Sequence, residues 1–186
     1  MITNIYFVRH AHSIYAPNEY GRPLSKQGLL DAKKVTNILK REKINQVYSS
    51  PYKRALQTVE GIANTREKEI IIVDDLKERI LAKAPVDDFS KAIKKVWYEE
   101  DFSWDGGESN RIAQARGVDT LLQILNEHKG EQIVIGTHGN IMVLMMNYFD
   151  HQYGFEFWKR LTMPDIYRLS FRDSTLVKVN WLWGER

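Results

Sequence analysis

Along this chain, short runs of β-branched and aromatic residues alternate with stretches of helical period, so that nearly every candidate strand is followed by a candidate helix. Ile5-Tyr6-Phe7-Val8, Gln46-Val47-Tyr48-Ser49, Ile70-Ile71-Ile72-Val73 and Ile133-Val134-Ile135 read as four strands. Leu29, Ala32, Val35 and Leu39 share one helical face behind Ser25 as N-cap. Ala55, Val59 and Ile62 share another behind Ser50-Pro51, read as an N-cap with proline at the first helical position. A third helix is expected from Ser109, after Gly106-Gly107, with Val118, Leu121, Leu122 and Leu125 inward and a stop at Lys129-Gly130. A fourth begins just after His138 and presents Met142, Met145 and Met146 as core filling. This alternation predicts an α/β fold: a mostly parallel central sheet with helices on both faces, in three layers. Ile166 to Phe171 and Leu176 to Leu182 flank Arg172-Asp173-Ser174 and predict a hairpin that gives the sheet an antiparallel edge. A chain of 186 residues, 43% hydrophobic, fits a single domain over residues 1–186. Within it, residues 81–108 show no clean period beyond a short helix at Phe89 to Trp97, and are expected as an excursion over the active site.

Composition removes several classes of function. With no cysteine, the chain has no thiolate nucleophile, disulfide framework or cysteine-ligated zinc. The formal charge of +3 is spread in locally alternating signs, as in Lys40-Arg41-Glu42-Lys43, so no basic stripe for nucleic acid is present. The uncharged stretch from Gln132 to Phe149 is interrupted by Gly136-Thr137-His138-Gly139-Asn140, which suits a strand-to-helix turn and not a membrane span. Met1 to Asn4 lack the pattern of a signal peptide, so no membrane association and a cytoplasmic location are expected. Oligomeric state is not legible.

Chemistry-bearing residues recur where the predicted strands end. Arg9-His10-Ala11-His12 follows the first, Ser49-Ser50-Pro51-Tyr52-Lys53-Arg54 the second, Asp75-Leu76-Lys77-Glu78-Arg79 the third, and Thr137-His138-Gly139-Asn140 the fourth. In open parallel sheets ligands bind beyond the carboxyl ends of the strands. Arginines there, one in the first turn of a helix, offer bidentate donors that suit a phosphoryl group.

In these residues the chain resembles the histidine phosphatase superfamily, in its branch of small phosphatases similar to cofactor-dependent phosphoglycerate mutase. Carrying the resemblance are Arg9-His10, the segment from Ser49-Ser50-Pro51 through Arg54-Ala55 to Gln57-Thr58, Glu78 after Leu76, Gly107-Glu108-Ser109 before a helix, and His138-Gly139. It implies a metal-independent hydrolysis of phosphate monoesters, with a small phosphorylated substrate, no metal and no cofactor. His10 would be the nucleophile, Arg9, Arg54 and His138 would hold the phosphoryl group, and Glu78 would donate the proton. Gly139 and Asn140 are further candidate substrate contacts at the helix start. The chain departs from the family pattern at Ala11, where Gly is usual, at His12 and at Ala16, and after Glu78, where a Gly-rich, Trp-containing stretch is usual.

Competing readings remain at this stage. Mutase-type phosphoryl transfer is the nearest, although similar mutases run longer, with a carboxyl tail that helps retain the intermediate. A non-catalytic phospho-ligand module is another, since fold alone does not set function. His10 and His12 as a metal pair is a third, opposed by the adjacent Arg9 charge. Glu99, Glu100, Asp101 or Glu108 could replace Glu78 as acid. His12 is expected in a pocket-wall or structural role rather than a catalytic one, and His128 and His151 at the surface. Trp97, Tyr98, Phe102 and Trp104 are expected to pack the excursion, with a substrate-pocket role as the alternative. Ser109 is expected as a helix cap.

Overall fold

A computed structural model describes residues 1–184. One mixed sheet of six strands runs through the molecule in the order β3-β2-β4-β1-β5-β6. These are β1 (Ile2–Arg9), β2 (Gln46–Ser49), β3 (Ile70–Ile72), β4 (Gln132–Thr137), β5 (Asp165–Arg172) and β6 (Thr175–Trp181). The first four in chain order are mutually parallel, while β5 pairs antiparallel with β1 and β6 antiparallel with β5. The expected antiparallel edge is therefore the β5–β6 hairpin, turned at Asp173 with φ +54°.

Alternation along the central strands divides the core into two layers. Ile5, Phe7, Ile133 and Ile135 point to one face, where they meet Leu121 and Leu125 of α4 (Asn110–Glu127) and Met142, Met145 and Met146 of α5 (Gly139–Phe149). Tyr6, Val8, Val47 and Val134 point to the other, against Val35 and Leu39 of α1 (Lys26–Leu39) and Val59 and Ile62 of α2 (Lys53–Thr65). Burying each large apolar side chain contributes about 1.5–3 kcal/mol, so both layers are needed to offset chain entropy. The excursion holds α3 (Phe89–Tyr98), capped by Asp88, and a short α6 (Phe155–Lys159) that the sequence reading missed follows α5.

Three local expectations need correction. Helix α2 begins at Lys53 with Tyr52 as cap, not at Ser50-Pro51. Ser50 instead prolongs the strand, its amide donating to the Gly136 carbonyl at 2.9 Å, and its hydroxyl is engaged by His138 at 2.7 Å. In α1 the inward stripe is Gly28, Ala32, Val35 and Leu39, whereas Leu29 is 46% exposed. The backbone of His12 crosses so closely that a Cβ at residue 28 would lie 2.1 Å from its carbonyl oxygen, so only glycine fits inward. The strand expected over Ile70 to Val73 covers only Ile70–Ile72, at the sheet edge, with Ile72 57% exposed.

Candidate active site

Strand register assembles the site. Arg9 pairs with Thr137 across β1 and β4, and Ser49 pairs with Gly136 across β2 and β4. Residues one step beyond, namely His10, His138 and Ser50, must then emerge side by side. The His10 amide donates to the Thr137 carbonyl at 3.0 Å, and the two imidazoles meet edge-on with centroids 5.1 Å apart.

His10 is buried and its tautomer follows from its partners. Nδ1 lies 2.8 Å from the Ala11 carbonyl oxygen, which can only accept, so Nδ1 carries the proton. Nε2 receives the Nε–H of Arg54 at 3.2 Å and must present its lone pair. Burial pushes the imidazole down to about 3; the Ala11 carbonyl opposes this, and the charges of Arg54, Arg9 and Arg22 add to it. His10 is thus a neutral ring with its free electron pair among guanidinium groups.

His138 caps α5 and has no exposed surface. Its Nε2 shares a hydrogen with the Ser50 hydroxyl at 2.7 Å, its Nδ1 has no partner among the described residues, and its ring stands edge-on to Tyr52 at 4.9 Å. Burial first, then the nearby His10, Arg54 and Arg9, hold this imidazole well below its ordinary range.

The guanidinium groups have different anchors. Arg54, in the first turn of α2, also donates from Nη1 to the Glu19 carbonyl at 3.0 Å, lies 3.1 Å from the Glu19 carboxylate and covers the Tyr52 ring at 4.6 Å. Arg9 lies across the start of α5, where a Cβ on residue 139 would come within 3.1 Å of its Nε, a tight contact that the guanidinium would have to shift to relieve. Arg9 Nη1 donates to the carbonyls of Leu161 and Thr162 at 3.3 and 3.0 Å. Buried Asp165 pins that loop, accepting from the Thr162 and Ile166 amides, the Tyr167 hydroxyl and the Trp181 indole.

Glu78 occupies the amino terminus of α5. Its Oε2 accepts from the Asn140 amide at 3.1 Å and the Asn140 side chain at 3.3 Å, and its Oε1 from the amides of Ile141 and Arg79 at 3.0 and 2.9 Å. At this helix start, where Gly139 and Asn140 are candidate substrate contacts, the amides of Asn140 and Ile141 are taken by the Glu78 carboxyl group. Both donors of Asn140 are directed at Glu78 and its Oδ1 accepts from Trp97 at 3.3 Å, so in this arrangement Asn140 holds Glu78.

Arg9, His10, Arg54, Glu78, Gly139 and Asn140 line one cavity of about 520 Å³; His138 contributes no wall. His12 also lines it, with Nδ1 at 2.9 Å from the Ser25 hydroxyl. Of the excursion, Leu81, Phe89 and Ile93 face the cavity, and Trp158 and Met163 come from elsewhere. Trp97, Tyr98, Phe102 and Trp104 do not line it, Phe102 packing instead on Trp104 at 5.0 Å.

The alternative acids are placed elsewhere. Glu108 receives Nε and Nη2 of Arg116 at 2.7 and 2.9 Å and the Ile80 amide at 3.1 Å, clamping the segment that carries Glu78. Arg116 holds the same segment through the Lys77 carbonyl at 3.1 Å. Glu100 and Asp101 pair with Arg111, and Glu99 with Lys95. His128 is half-buried between the Tyr48 hydroxyl and Glu131, each at 2.8 Å, and is not the surface residue expected. Among the described residues no group of three His, Asp or Glu could hold a metal ion, and no helix is long and apolar enough to cross a membrane.

Sequence reasoning missed Glu19, Arg22 and Arg79 as cavity residues. Glu19 and Arg22 lie in an aperiodic stretch, and Arg79 directly follows Glu78, the residue the resemblance singles out at that strand end. The buried hydroxyl of Ser50 was masked by its apparent fitness as a helix cap.

A neutral histidine beside the buried guanidinium of Arg54 and the partly buried one of Arg9, at adjoining strand ends of an open sheet, defines an α/β protein shaped to receive an oxyanion against an imidazole. The chain belongs to the histidine phosphatase superfamily (branch 1), whose sequence profile matches residues 5–183. It is 34% identical over 159 residues to a metal-independent phosphoserine phosphatase of Arabidopsis thaliana, covering 76% of this chain and 66% of that protein. It thus spans just under two thirds of that relative's length. Phosphoserine phosphatase 1 of Hydrogenobacter thermophilus is 29% identical over 158 residues, covering 74% of this chain and 71% of the relative. Among solved structures, a phosphoserine phosphatase of Entamoeba histolytica in complex with 3-phosphoglyceric acid superposes with a TM-score of 0.80 over 98% of each chain at 21% identity, a likeness of fold.

Proposed function

We propose that this protein hydrolyses small phosphate monoesters without a metal, through a phosphohistidine formed on His10. The observation that carries the reading is the state of His10: neutral, with its proton fixed on Nδ1 by Ala11 and its Nε2 lone pair met by the Nε–H of Arg54. The relatives named as phosphoserine phosphatases support the substrate class.

When a phosphate monoester enters, Arg54 transfers its Nε–H from His10 to a phosphoryl oxygen, and Arg9 meets the others. Both arginines stabilise charge on the equatorial oxygens during in-line transfer. His10 Nε2 bonds to phosphorus as the ester P–O bond breaks, and the leaving oxygen takes a proton from Glu78 in its acid form. His138 supports the ring of His10, edge-on with centroids 5.1 Å apart, from behind the cavity wall. In the second half, Glu78 as carboxylate takes a proton from water, whose oxygen displaces His10 from phosphorus and releases inorganic phosphate. Residues 81–108 cover the leaving-group side within a single domain of residues 1–186. A cytoplasmic setting belongs to the same proposal.

Rapid quench with a labelled monoester should trap a base-stable, acid-labile adduct on the wild type and none on His10→Ala, with turnover of the variant down about 1,000-fold or more. Near-normal turnover by His10→Ala would overturn the assignment.

A further inference from the structure

Phe89 and Ile93 of α3 face the cavity, and Trp97 on the same helix does not. Its indole nevertheless reaches the acid through one intermediary. Trp97 Nε1–H donates to Asn140 Oδ1 at 3.3 Å, and Asn140 Nδ2 donates to Glu78 Oε2 at 3.3 Å. An indole nitrogen can only donate, whereas a primary amide carries a donor and an acceptor that trade places on a half-turn about its last side-chain bond. Trp97 therefore decides which end of Asn140 meets Glu78. With Oδ1 held by the indole, Nδ2 and the backbone amide of Asn140 both aim donors at Oε2, and the amides of Ile141 and Arg79 do the same at Oε1. Each of these partners is a donor, so a proton on the carboxyl group finds no acceptor among them and must stand towards the cavity that Glu78 lines. Turned round, the same amide would set Oδ1 against Oε2 and take that proton into a hydrogen bond of its own.

We propose that Trp97 is a positioning residue for proton transfer to the leaving oxygen: by fixing the amide of Asn140, it keeps the Glu78 proton directed into the cavity. The inference rests on the phosphatase reading, in which Glu78 is the acid. It gives α3 a part in the chemistry beyond the apolar wall of Phe89 and Ile93. A carboxylate needs no such lock, because its oxygen repels Oδ1 and attracts Nδ2 unaided. Trp97 thus bears on the first half of the reaction, in which Glu78 gives its proton to the leaving oxygen. It does not bear on the second, in which the carboxylate takes a proton from water.

The test measures single-turnover phosphoryl transfer from an alkyl ester, O-phosphoserine, and from an aryl ester, 4-nitrophenyl phosphate, whose leaving oxygen barely needs a proton. Trp97→Phe keeps a flat ring without the N–H and should slow the alkyl reaction by about 10-fold, a part of what a general acid supplies. The aryl reaction and hydrolysis of the phosphohistidine should each change by less than about 2-fold, since neither draws on the directed proton. In an Asn140→Ala background, where no amide can turn, Trp97→Phe should cost nothing further on the alkyl ester. Phe155→Leu loosens the packing against Trp97, whose ring lies 6.3 Å away, but leaves the N–H, and should keep the wild-type ratio of alkyl to aryl rates. Equal losses on both esters in Trp97→Phe, a slowed phosphohistidine hydrolysis, a loss that persists in the Asn140→Ala background, or the same altered ratio in Phe155→Leu overturns the proposal. Where Trp97→Phe fails to fold, the indole N–H proton resonance of Trp97 serves, and it should move upfield in Asn140→Ala. Hydrolysis of both esters with an unmoved resonance overturns the proposal alone, whereas hydrolysis of neither by the wild type overturns the phosphatase reading on which it rests.

Discussion

His10 and His138 give this protein a pH response that can be read before any substrate is added. Each imidazole has an ordinary value of 6.5 and is held below it in the folded chain, His10 at about 3. Above pH 6.5 neither folded nor unfolded chain binds these protons, so the folded state is at full strength. As pH falls from 6.5 towards 3 the unfolded chain takes up protons that the folded chain refuses, and stability is lost. Between pH 6 and 5 the slope for each such ring approaches about 1.4 kcal/mol per pH unit. Urea denaturation at pH 6.5, 6 and 5 should show this loss, with His10→Gln shallower by one imidazole's share. Parallel curves for variant and wild type would mean that His10 titrates freely in the folded state. At this scale the sequence indicated which residues gather, because strand ends converge in any parallel sheet. It could not indicate that Glu78 would fill the start of α5, or that Arg79 would be buried with open donors, since both depend on the path of a loop with no period.

Among the elements, α1 shows where periodicity misleads and how much a single atom decides. The pattern Leu29, Ala32, Val35, Leu39 is one position off at its first turn, because the His12 carbonyl leaves room at residue 28 for a hydrogen only. Alanine is intrinsically better than glycine in a helix by about 1 kcal/mol, so Gly28→Ala would stabilise an isolated α1. In the folded protein the added Cβ meets backbone, not a side chain that can swing away, and overpacking of that kind costs about 1–3 kcal/mol or more. The second effect should win, with a net loss of at least 1 kcal/mol in the urea midpoint at unchanged m-value. A gain in stability would show that the 11–13 segment yields easily. Elsewhere the elements were legible for plain reasons. Ser109 does cap α4, accepting the Ile112 amide at 3.2 Å, and the Met stripe of α5 is core. The start of α2 was not, because Ser50-Pro51 satisfies the local rules for a cap while strand register and His138 claim the serine.

On the scale of the whole molecule, strand order couples the antiparallel hairpin to the chemistry. No local pattern shows that β4 enters between β1 and β2, or that β5 takes the other side of β1; these are outcomes of packing two faces at once. Their consequence is that Asp165, the first residue of β5, pairs in register with Arg9, the last of β1. Asp165 is fully buried and gathers two amides, the Tyr167 hydroxyl and the Trp181 indole of β6, and through the Thr162 amide it fixes the loop whose carbonyls hold Arg9. Asp165→Asn keeps shape but turns an acceptor pair into one acceptor and one donor, so at least one of the four donors is left facing an N–H. A buried donor left unmet costs about 1–3 kcal/mol, which the urea midpoint should register. Because the loop also sets Arg9, inhibition by inorganic phosphate should weaken by about 10-fold, while the neutral state of His10, which burial imposes first, persists. The contrast to watch is with a core substitution of similar cost far from Arg9, such as Leu125→Ala in α4. If Asp165→Asn loses stability but binds phosphate as tightly as Leu125→Ala does, the hairpin supports the fold alone and Arg9 is held without it.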